Sequence, residues 1–120
     1  KDECFARADL FVLPSFTEAF PLAVLEAMMH SLPVAATNVG GIPTQVQDGT
    51  TGLLCQAQDA DSLAACLDRL VGDADLRQRM GQAGRQRFEE SFTLATFETN
   101  FARCLQSFCT AKHKKILHVV

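Results

Sequence analysis

The sequence lacks several features that would each have pointed to a definite class of protein. No apolar run reaches the roughly 18 residues that a membrane-spanning helix needs. The formal net charge of -3 shows no excess of Lys and Arg, which argues against a nucleic-acid partner. Residue 1 is Lys rather than Met, and no signal-peptide pattern follows it. We therefore expect the 120 residues, enough for one domain with a single core, to be a piece of a longer protein.

The cysteines also lack the spacing of a known motif. They are five in number, which is odd, and no two of them have the Cys-x-x-Cys spacing that zinc sites usually show: Cys4, Cys55, Cys66, Cys104 and Cys109. We expect free, mostly buried thiols in a reducing cytosol. The sequence gives no support for a bound metal.

Residues 9–30 carry most of the information about the fold. The unbroken apolar run 10–13 is typical of a strand that is covered on both faces, as in a parallel sheet. Pro14 ends this strand, and Pro21 then takes a position that suits the first turn of a helix. That helix is apolar on nearly every side except at Glu26, so we expect it to be deeply buried.

The rest of the chain alternates short strands with helices. Strands are predicted at 34–37 and 53–55, separated by the Gly40-Gly41 turn and one helical turn at 42–46. Further helices are predicted to begin near Asp59, to run from Leu76 to Phe88, and to begin at Thr93 as the capping residue. This order is typical of an α/β fold: a Rossmann-like parallel sheet with helices on both faces.

Three groups of side chains have a structural interpretation. The aromatic stripe of the last helix (Phe97, Phe101, Leu105, Phe108) is interpreted as core packing or as docking against a neighbouring domain, ahead of a ligand role. The arginines of the preceding helix (Arg77, Arg79, Arg85, Arg87) are interpreted as a solvated face. His30 is predicted to cap a helix C-terminus rather than to act as a base.

Two carboxylates stand where the first strand passes into its helix, and they suggest a ligand. Glu18 lies in the loop before a helix N-terminus, where free backbone N–H groups and the helix dipole favour phosphate. In open α/β sheets ligands bind beyond the carboxyl ends of the strands, and a carboxylate there can accept hydrogen bonds from sugar hydroxyls. Glu26 is the only charge between Phe20 and Met29, so it needs a partner, solvent or a ligand, a structural salt bridge being the alternative. Together these features predict a nucleotide sugar as the ligand.

The motifs of this region occur in a characteristic order. The first strand ends in Leu-Pro-Ser, and seven residues separate Glu18 from Glu26. After them come Glu-Ala-Met at 26–28, Leu-Pro-Val at 32–34, Gly-Gly-Ile-Pro at 40–43, Gly-x-x-Gly-Leu-Leu at 49–54 and Asp-x-x-Ser-Leu at 59–63. In this order and spacing the chain resembles, over roughly residues 5–109, the C-terminal nucleotide-sugar-binding domain of retaining GT-B glycosyltransferases of the large family-4 type. It departs from that family's pattern at Ala19, where glycine is usual, and at Thr44 and Gln45, where an acidic residue is common.

The resemblance implies a donor site and a reaction. Glu18 would be the catalytic residue that contacts the donor sugar, and Glu26 would bind the ribose. Backbone amides around Phe20, Pro21 and Leu22 would face the diphosphate, and the remaining donor-binding residues would be Ser15, Ala19, Gly40 and Gly41. The implied reaction transfers a hexose from a nucleoside diphosphate sugar, with retention of configuration, to a glycan or lipid-linked acceptor. It implies no metal or other cofactor. Ala19 is expected to crowd the loop or to change donor choice.

The resemblance also divides the chain. Residues 1–92 would be part of a nucleotide-sugar-binding domain, 93–110 a C-terminal helix, and 111–120 a linker and the first strand of a following domain, or else a basic C-terminus. The N-terminal GT-B domain would be a partner from the same longer chain, and the piece alone would be inactive. A cytoplasmic location is implied, with peripheral contact at the inner membrane face as an option, and a role in cell-envelope polysaccharide biosynthesis. Two alternatives stay open: a GT-B-fold sugar-nucleotide epimerase, and a non-catalytic sugar-nucleotide-binding or scaffolding domain.

Overall fold

The protein has a three-stranded parallel sheet with helices on both faces. The computed structural model describes residues 2–112. The sheet order is β1-β2-β3, and Val34 of β2 pairs with Phe11 on one side and with Gly52 on the other. The elements are α1 (Asp2–Arg7), β1 (Phe11–Leu13), α2 (Leu22–Met29), β2 (Val34–Thr37), α3 (Ile42–Gln45), β3 (Gly52–Cys55), α4 (Ala60–Gly72), α5 (Ala74–Ser91) and α6 (Leu94–Lys112).

The central strand β2 is buried at every residue, whereas the edge strand β1, for which the unbroken apolar run predicts cover on both faces, is only half-buried. Because successive side chains of a strand point to opposite faces, Val34 and Ala36 belong to a core cluster with residues of α2 and α3. Ala35 belongs instead to a second cluster, with Leu53 of β3, Leu70 of α4, and Leu76 and Met80 of α5. The α/β fold predicted from the sequence is therefore confirmed.

The helix starts are set by side chains that accept hydrogen bonds from free amides. Asp59 Oδ1 accepts from the Ser62 amide at 3.0 Å, and Asp73 Oδ1 accepts from the Leu76 amide at 2.9 Å. Thr93 Oγ1 accepts from the Thr96 amide at 3.2 Å, as predicted for a cap. The division of the chain at residues 92 and 110 stays a prediction.

The prediction that α2 is deeply buried is wrong. Its buried residues are Val24, Ala27 and Met28, whereas Leu22 is 69% exposed and Met29 is 42% exposed. Helix α2 packs against the sheet and against α5, and the side that carries Leu22 and Met29 meets neither of them fully.

Two other expectations about side chains need correction. The four thiols that the structure describes are free, but they are not mostly buried: Cys4 and Cys104 are exposed, Cys55 is buried and Cys66 is half-buried. The arginines of α5 do not form a purely solvated face, because several of them donate to backbone carbonyls. Arg77 donates to Leu70 and Val71, Arg85 to Met29, and Arg87 to Thr44 and Gln45.

Some predictions fall on parts of the chain that the structure leaves undescribed. Most of the linker and strand predicted at 111–120 lies outside residues 2–112, and the side chains of Phe97 and Phe108 are likewise not described. In the part of the chain that is described, none of the helices has the length and apolar character needed to cross a membrane.

Candidate functional site

The loop between β1 and α2 lies at the carboxyl edge of the parallel sheet, next to the end of β2. Thr37, the last residue of β2, donates from Oγ1 to the Ser15 carbonyl at 2.7 Å. Ser15 Oγ in turn donates to Glu18 Oε1 at 2.8 Å. The half-buried Glu18 carboxylate is thus held by a chain of hydrogen bonds that begins on the sheet.

The Gly40-Gly41 turn packs directly against the backbone of this loop. The Gly41 amide donates to the Glu18 carbonyl at 3.3 Å. A Cβ at Gly40 would stand 1.4 Å from the Glu18 oxygen, and one at Gly41 would stand 2.0 Å from the Ala19 oxygen. Both glycines are therefore required by close approach of the backbone to the loop. The predicted role of this turn as a border of the donor pocket stays a prediction.

The N-terminus of α2 presents free amides beside Glu18. Its N-cap is Pro21, which has no polar side chain to satisfy them. The N–H groups of Leu22, Ala23 and Val24 have no acceptor within the helix, and the helix dipole makes this end positive. Glu26 follows Leu22 by one turn on the same side of α2 and is half-buried, so it reaches solvent in part.

Ala19 does not crowd the loop. It is exposed, and the non-glycine residues with positive φ in the described chain are Ser31 and Gln58. Alanine at position 19 therefore takes an ordinary backbone conformation without strain. A change in donor choice remains a prediction.

The sequence did not reveal two side chains that support the loop. Gln45 is completely buried, and its Nε2 donates to the Pro21 carbonyl at 3.0 Å. Arg87 donates to the carbonyls of Gln45 and Thr44 at 3.0 and 2.7 Å. A one-turn helix is too short to show a periodic pattern, so nothing local marks Gln45 as buried.

An apolar pocket of 630 Å³ adjoins the start of α2 on the side of α6. Phe20 and Leu22 line it together with Phe92, Leu94 and Phe101. Phe101 is 44% exposed, so it is not packed in the core as one interpretation of the aromatic stripe expected. The pocket's lining shares Phe20 and Leu22 with the predicted donor-binding residues, but it does not include Glu18 or Glu26.

Two further predictions concerned His30 and a bound metal. His30 is the C-cap of α2, and its Nδ1 donates to the Glu26 carbonyl at 2.8 Å, in agreement with a capping role. Among the side chains that the structure describes, His, Cys, Asp and Glu form no group of three that could hold a metal ion.

The sheet, the helices on both faces and the loop at the carboxyl edge define an α/β protein of the Rossmann-like type. The family model of the glycosyl transferases group 1 matches residues 1–87. The chain belongs to this family.

Relatives of known name agree with this assignment. The chain is 42% identical over 79 residues to a D-inositol 3-phosphate glycosyltransferase of Nocardia farcinica, covering 66% of this chain and 18% of that protein. The solved sucrose-phosphate synthase of Thermosynechococcus elongatus superposes with a TM-score of 0.81 at 31% identity, over 90% of this chain and 27% of that one. The HepE protein of Anabaena, solved in complex with UDP, also gives a TM-score of 0.81, at 24% identity over 88% of this chain and 29% of that one. The chain thus spans less than a third of the length of each of these proteins.

Proposed function

We propose that this chain is the donor-binding part of a retaining glycosyltransferase that transfers a hexose from a nucleoside diphosphate sugar. The observation that carries the proposal is the Glu18 loop at the carboxyl edge of the sheet, followed directly by the N-terminus of α2, with Glu26 one turn into that helix. The three differ in chemistry. A carboxylate, a row of free amides and a second carboxylate suit in turn a sugar, a diphosphate and a ribose.

Each residue then has a distinct role toward the donor. Glu18, oriented by Ser15 Oγ at 2.8 Å, accepts hydrogen bonds from hydroxyls of the sugar and is the proposed catalytic residue. The amides at the start of α2 bind the diphosphate, and Glu26 binds the ribose. These amides and the helix dipole stabilise the charge that develops on the departing diphosphate, so the proposal includes no bound metal or other cofactor.

The nucleotide is the part of the donor for which known structures give support. HepE has been solved with UDP and with UDP-glucose, and it shares the fold of this chain. We therefore take UDP and UDP-glucose as the probes for the site. The acceptor is proposed to be a glycan or a lipid-linked glycan used in cell-envelope polysaccharide biosynthesis, in the cytoplasm at the inner membrane face.

The second half of the cleft is proposed to come from the N-terminal domain of the same longer chain. The chain spans 18% of the length of its Nocardia relative, which leaves ample sequence for such a domain. The exposed apolar side chains of Leu22, Leu94 and Phe101, beside the α2 N-terminus, are proposed to pack against that domain. We expect no transferase activity from the 120 residues alone, and turnover by them would contradict this part of the proposal.

The test separates the two carboxylates by using two probes. In the full-length protein that carries this chain, Glu26→Ala should weaken the binding of UDP and UDP-glucose alike by roughly tenfold to a hundredfold, the range of a hydrogen bond to a charged group. Glu18→Ala should weaken the binding of UDP-glucose and leave that of UDP unchanged. Calorimetric titration measures both.

The matched control is Glu90→Ala, which removes an exposed carboxylate on α5 that accepts a hydrogen bond from Gln86 of the same helix. It should leave both affinities unchanged. If neither Glu18→Ala nor Glu26→Ala changes the affinity for either probe, the site assignment is wrong. A wild-type protein that binds neither probe would favour a scaffolding domain.

A further inference from the structure

Gln45 is a buried polar side chain that the proposed site does not explain. It is completely buried, yet its Oε1 has no hydrogen-bond partner among the described residues. An unpaired buried amide oxygen costs free energy, and an apolar side chain of similar size would avoid that cost. The reason for a polar residue here must therefore lie with its Nε2 atom, which donates to the Pro21 carbonyl at 3.0 Å.

Residues at both ends of the short helix α3 donate hydrogen bonds to the donor-binding loop. Just before it, the Gly41 amide donates to the Glu18 carbonyl at 3.3 Å. At its last residue, Gln45 donates to the Pro21 carbonyl. The two acceptors lie on either side of Ala19 and Phe20. The second half of the loop, residues 18–21, is therefore fixed at both of its ends by one element.

Fixing the carbonyls of Glu18 and Pro21 also fixes the N–H groups of the residues that follow them, Ala19 and Leu22. The C=O of one residue and the N–H of the next belong to one planar peptide unit and point in opposite directions. When Gln45 holds the Pro21 carbonyl, it adds to the helix geometry in fixing the direction of the Leu22 N–H. That group is the first free amide of α2 and, in the proposed function, one of those that face the diphosphate.

Helix α3 is in turn held from α5 by Arg87. The planar guanidinium donates from Nε to the Gln45 carbonyl at 3.0 Å and from Nη2 to the Thr44 carbonyl at 2.7 Å. Arg87 also lies 5.5 Å from the centre of the Phe92 ring, and Phe92 lies 6.0 Å from the Phe20 ring. One arginine therefore reaches the loop by two routes, through Gln45 and through Phe92.

We propose that Gln45 is a positioning residue for the donor site, and that Arg87 acts mainly through it. This inference rests on the proposed function, because it assigns Gln45 the task of aiming an amide at the diphosphate. Gln45 itself touches no donor atom in this proposal. Its effect passes through the Pro21–Leu22 peptide unit.

The first variant is Gln45→Met, which keeps the length of the side chain and removes both the donor to Pro21 and the unpaired oxygen. In the full-length protein, we expect the Kd for UDP to rise about threefold to tenfold, the range of one neutral hydrogen bond. The melting temperature should stay equal to that of the wild type or rise, since the unpaired oxygen is gone. Gln47→Met, at an exposed position, is the matched control and should change neither quantity.

A purely structural role for Gln45 predicts the opposite pair of results. The melting temperature would then fall while the Kd for UDP stayed at the wild-type value, and this outcome would overturn the proposal. The Leu22 amide resonance gives a second readout. It should shift on addition of UDP in the wild type and shift less in Gln45→Met.

Arg87→Lys is a second variant that leaves Gln45 in place. A lysine ammonium cannot span the carbonyls of Thr44 and Gln45 as the guanidinium does, so the Kd for UDP should again rise. Because Arg87 acts mainly through Gln45, the double variant should bind UDP only slightly more weakly than Gln45→Met alone. Fully additive losses would contradict action through Gln45.

The inference and the proposed function fail in different ways. If Glu26→Ala weakens UDP binding while Gln45→Met and Arg87→Lys do not, the positioning role is wrong and the donor site stands. If UDP does not bind the wild-type protein, the proposed function is wrong and the positioning role falls with it.

Discussion

Gly40 lies directly against the backbone carbonyl of Glu18, so close that a Cβ at position 40 would stand 1.4 Å from that oxygen. Gly40 also has a φ of +54°, a conformation that residues with a side chain rarely adopt. Position 40 is therefore restricted twice, by its own backbone and by the loop that carries Glu18. Gly49 offers a comparison, because its φ of +84° is also positive but nothing lies within 4 Å of its Cβ position.

Gly40→Ala should destabilise the protein and displace the Glu18 loop. Both Gly40→Ala and Gly49→Ala place an alanine in the left-handed conformation, which should lower the free energy of unfolding by about 1–2 kcal/mol in each variant. Only Gly40→Ala must also move a backbone carbonyl, which adds about 1–3 kcal/mol. We expect urea unfolding to show this larger loss, and calorimetry to show weaker UDP-glucose binding in Gly40→Ala alone. Equal losses of stability in the two variants would mean that the close contact with the Glu18 carbonyl does not affect stability.

Ser15→Ala should affect the sugar-binding part of the site more than stability. The change removes the hydroxyl that donates to Glu18 Oε1 at 2.8 Å. We expect the affinity for UDP-glucose to fall about threefold to tenfold, and the free energy of unfolding to change by less than about 1 kcal/mol, since the bond is only partly buried. The affinity for UDP alone should not change.

Thr17→Ala is the control for this variant. Thr17 is exposed in the same loop, so its loss should leave the affinity for UDP-glucose at the wild-type value. If Thr17→Ala and Ser15→Ala weaken binding equally, the orientation of Glu18 by Ser15 is not the cause.

Local patterns were sufficient to predict the sheet. The apolar run 10–13 predicts a strand of a parallel sheet, and β1 is one, although as an edge strand it is half-buried while the central strand β2 is buried at every residue. Parallel pairing then brings the carboxyl ends of the strands to one edge, which is why the Glu18 loop could be expected near Thr37 and the Gly40-Gly41 turn. The roles of Glu18 and Glu26 toward a ligand stay predictions, because they depend on an occupant rather than on the fold.

What could not be predicted depends on contacts between distant parts of the chain. Leu22 is as apolar as Val24, yet one is 69% exposed and the other is completely buried. Periodicity does not say which side of an apolar helix meets the sheet. Arg87 is of a residue type that is usually exposed to solvent. Only its hydrogen bonds to the carbonyls of Thr44 and Gln45 show that it supports α3. These are tertiary effects that override local preference.

Asp59→Ala should destabilise α4 more than Asp61→Ala does. Asp59 Oδ1 accepts from the Ser62 amide at 3.0 Å, so its removal leaves that amide without its cap and should cost about 0.5–2 kcal/mol. Asp61 is exposed in the first turn and acts on the helix dipole alone, which is worth about 0.3–1 kcal/mol. Thermal unfolding of the two variants at the same ionic strength measures the difference.

Added salt provides the control for this comparison. The dipole contribution is screened by salt, whereas the capping hydrogen bond is less sensitive. The loss in Asp61→Ala should therefore shrink as salt rises and the loss in Asp59→Ala should persist. A loss in Asp59→Ala that vanishes in salt would show that Asp59 acts by charge and not as a cap.

The thiols of Cys55 and Cys66 should make stability fall at alkaline pH. Burial raises the pKa of Cys55, and the neighbouring Cys66 raises it further. Burial also raises the pKa of Cys66, and the negative charge of Asp48 raises it further. A raised pKa keeps the thiol neutral in the folded protein while the unfolded chain ionises. The contribution to stability is therefore complete below the ordinary thiol pKa of about 8.5 and is lost as pH rises through the raised value.

Thiol labelling should separate the cysteines by their surroundings. We expect Cys4 and Cys104, which are exposed, to react quickly with a disulfide reagent at pH 8, and Cys55 and Cys66 to react slowly, because the reactive species is the thiolate and burial disfavours it. Replacing Cys109 by serine in every sample keeps its contribution out of the rates. In urea, where the burial is gone, all four should react at similar speed. A single fast phase in the folded protein would mean that β3 and α4 open readily enough to expose both thiols.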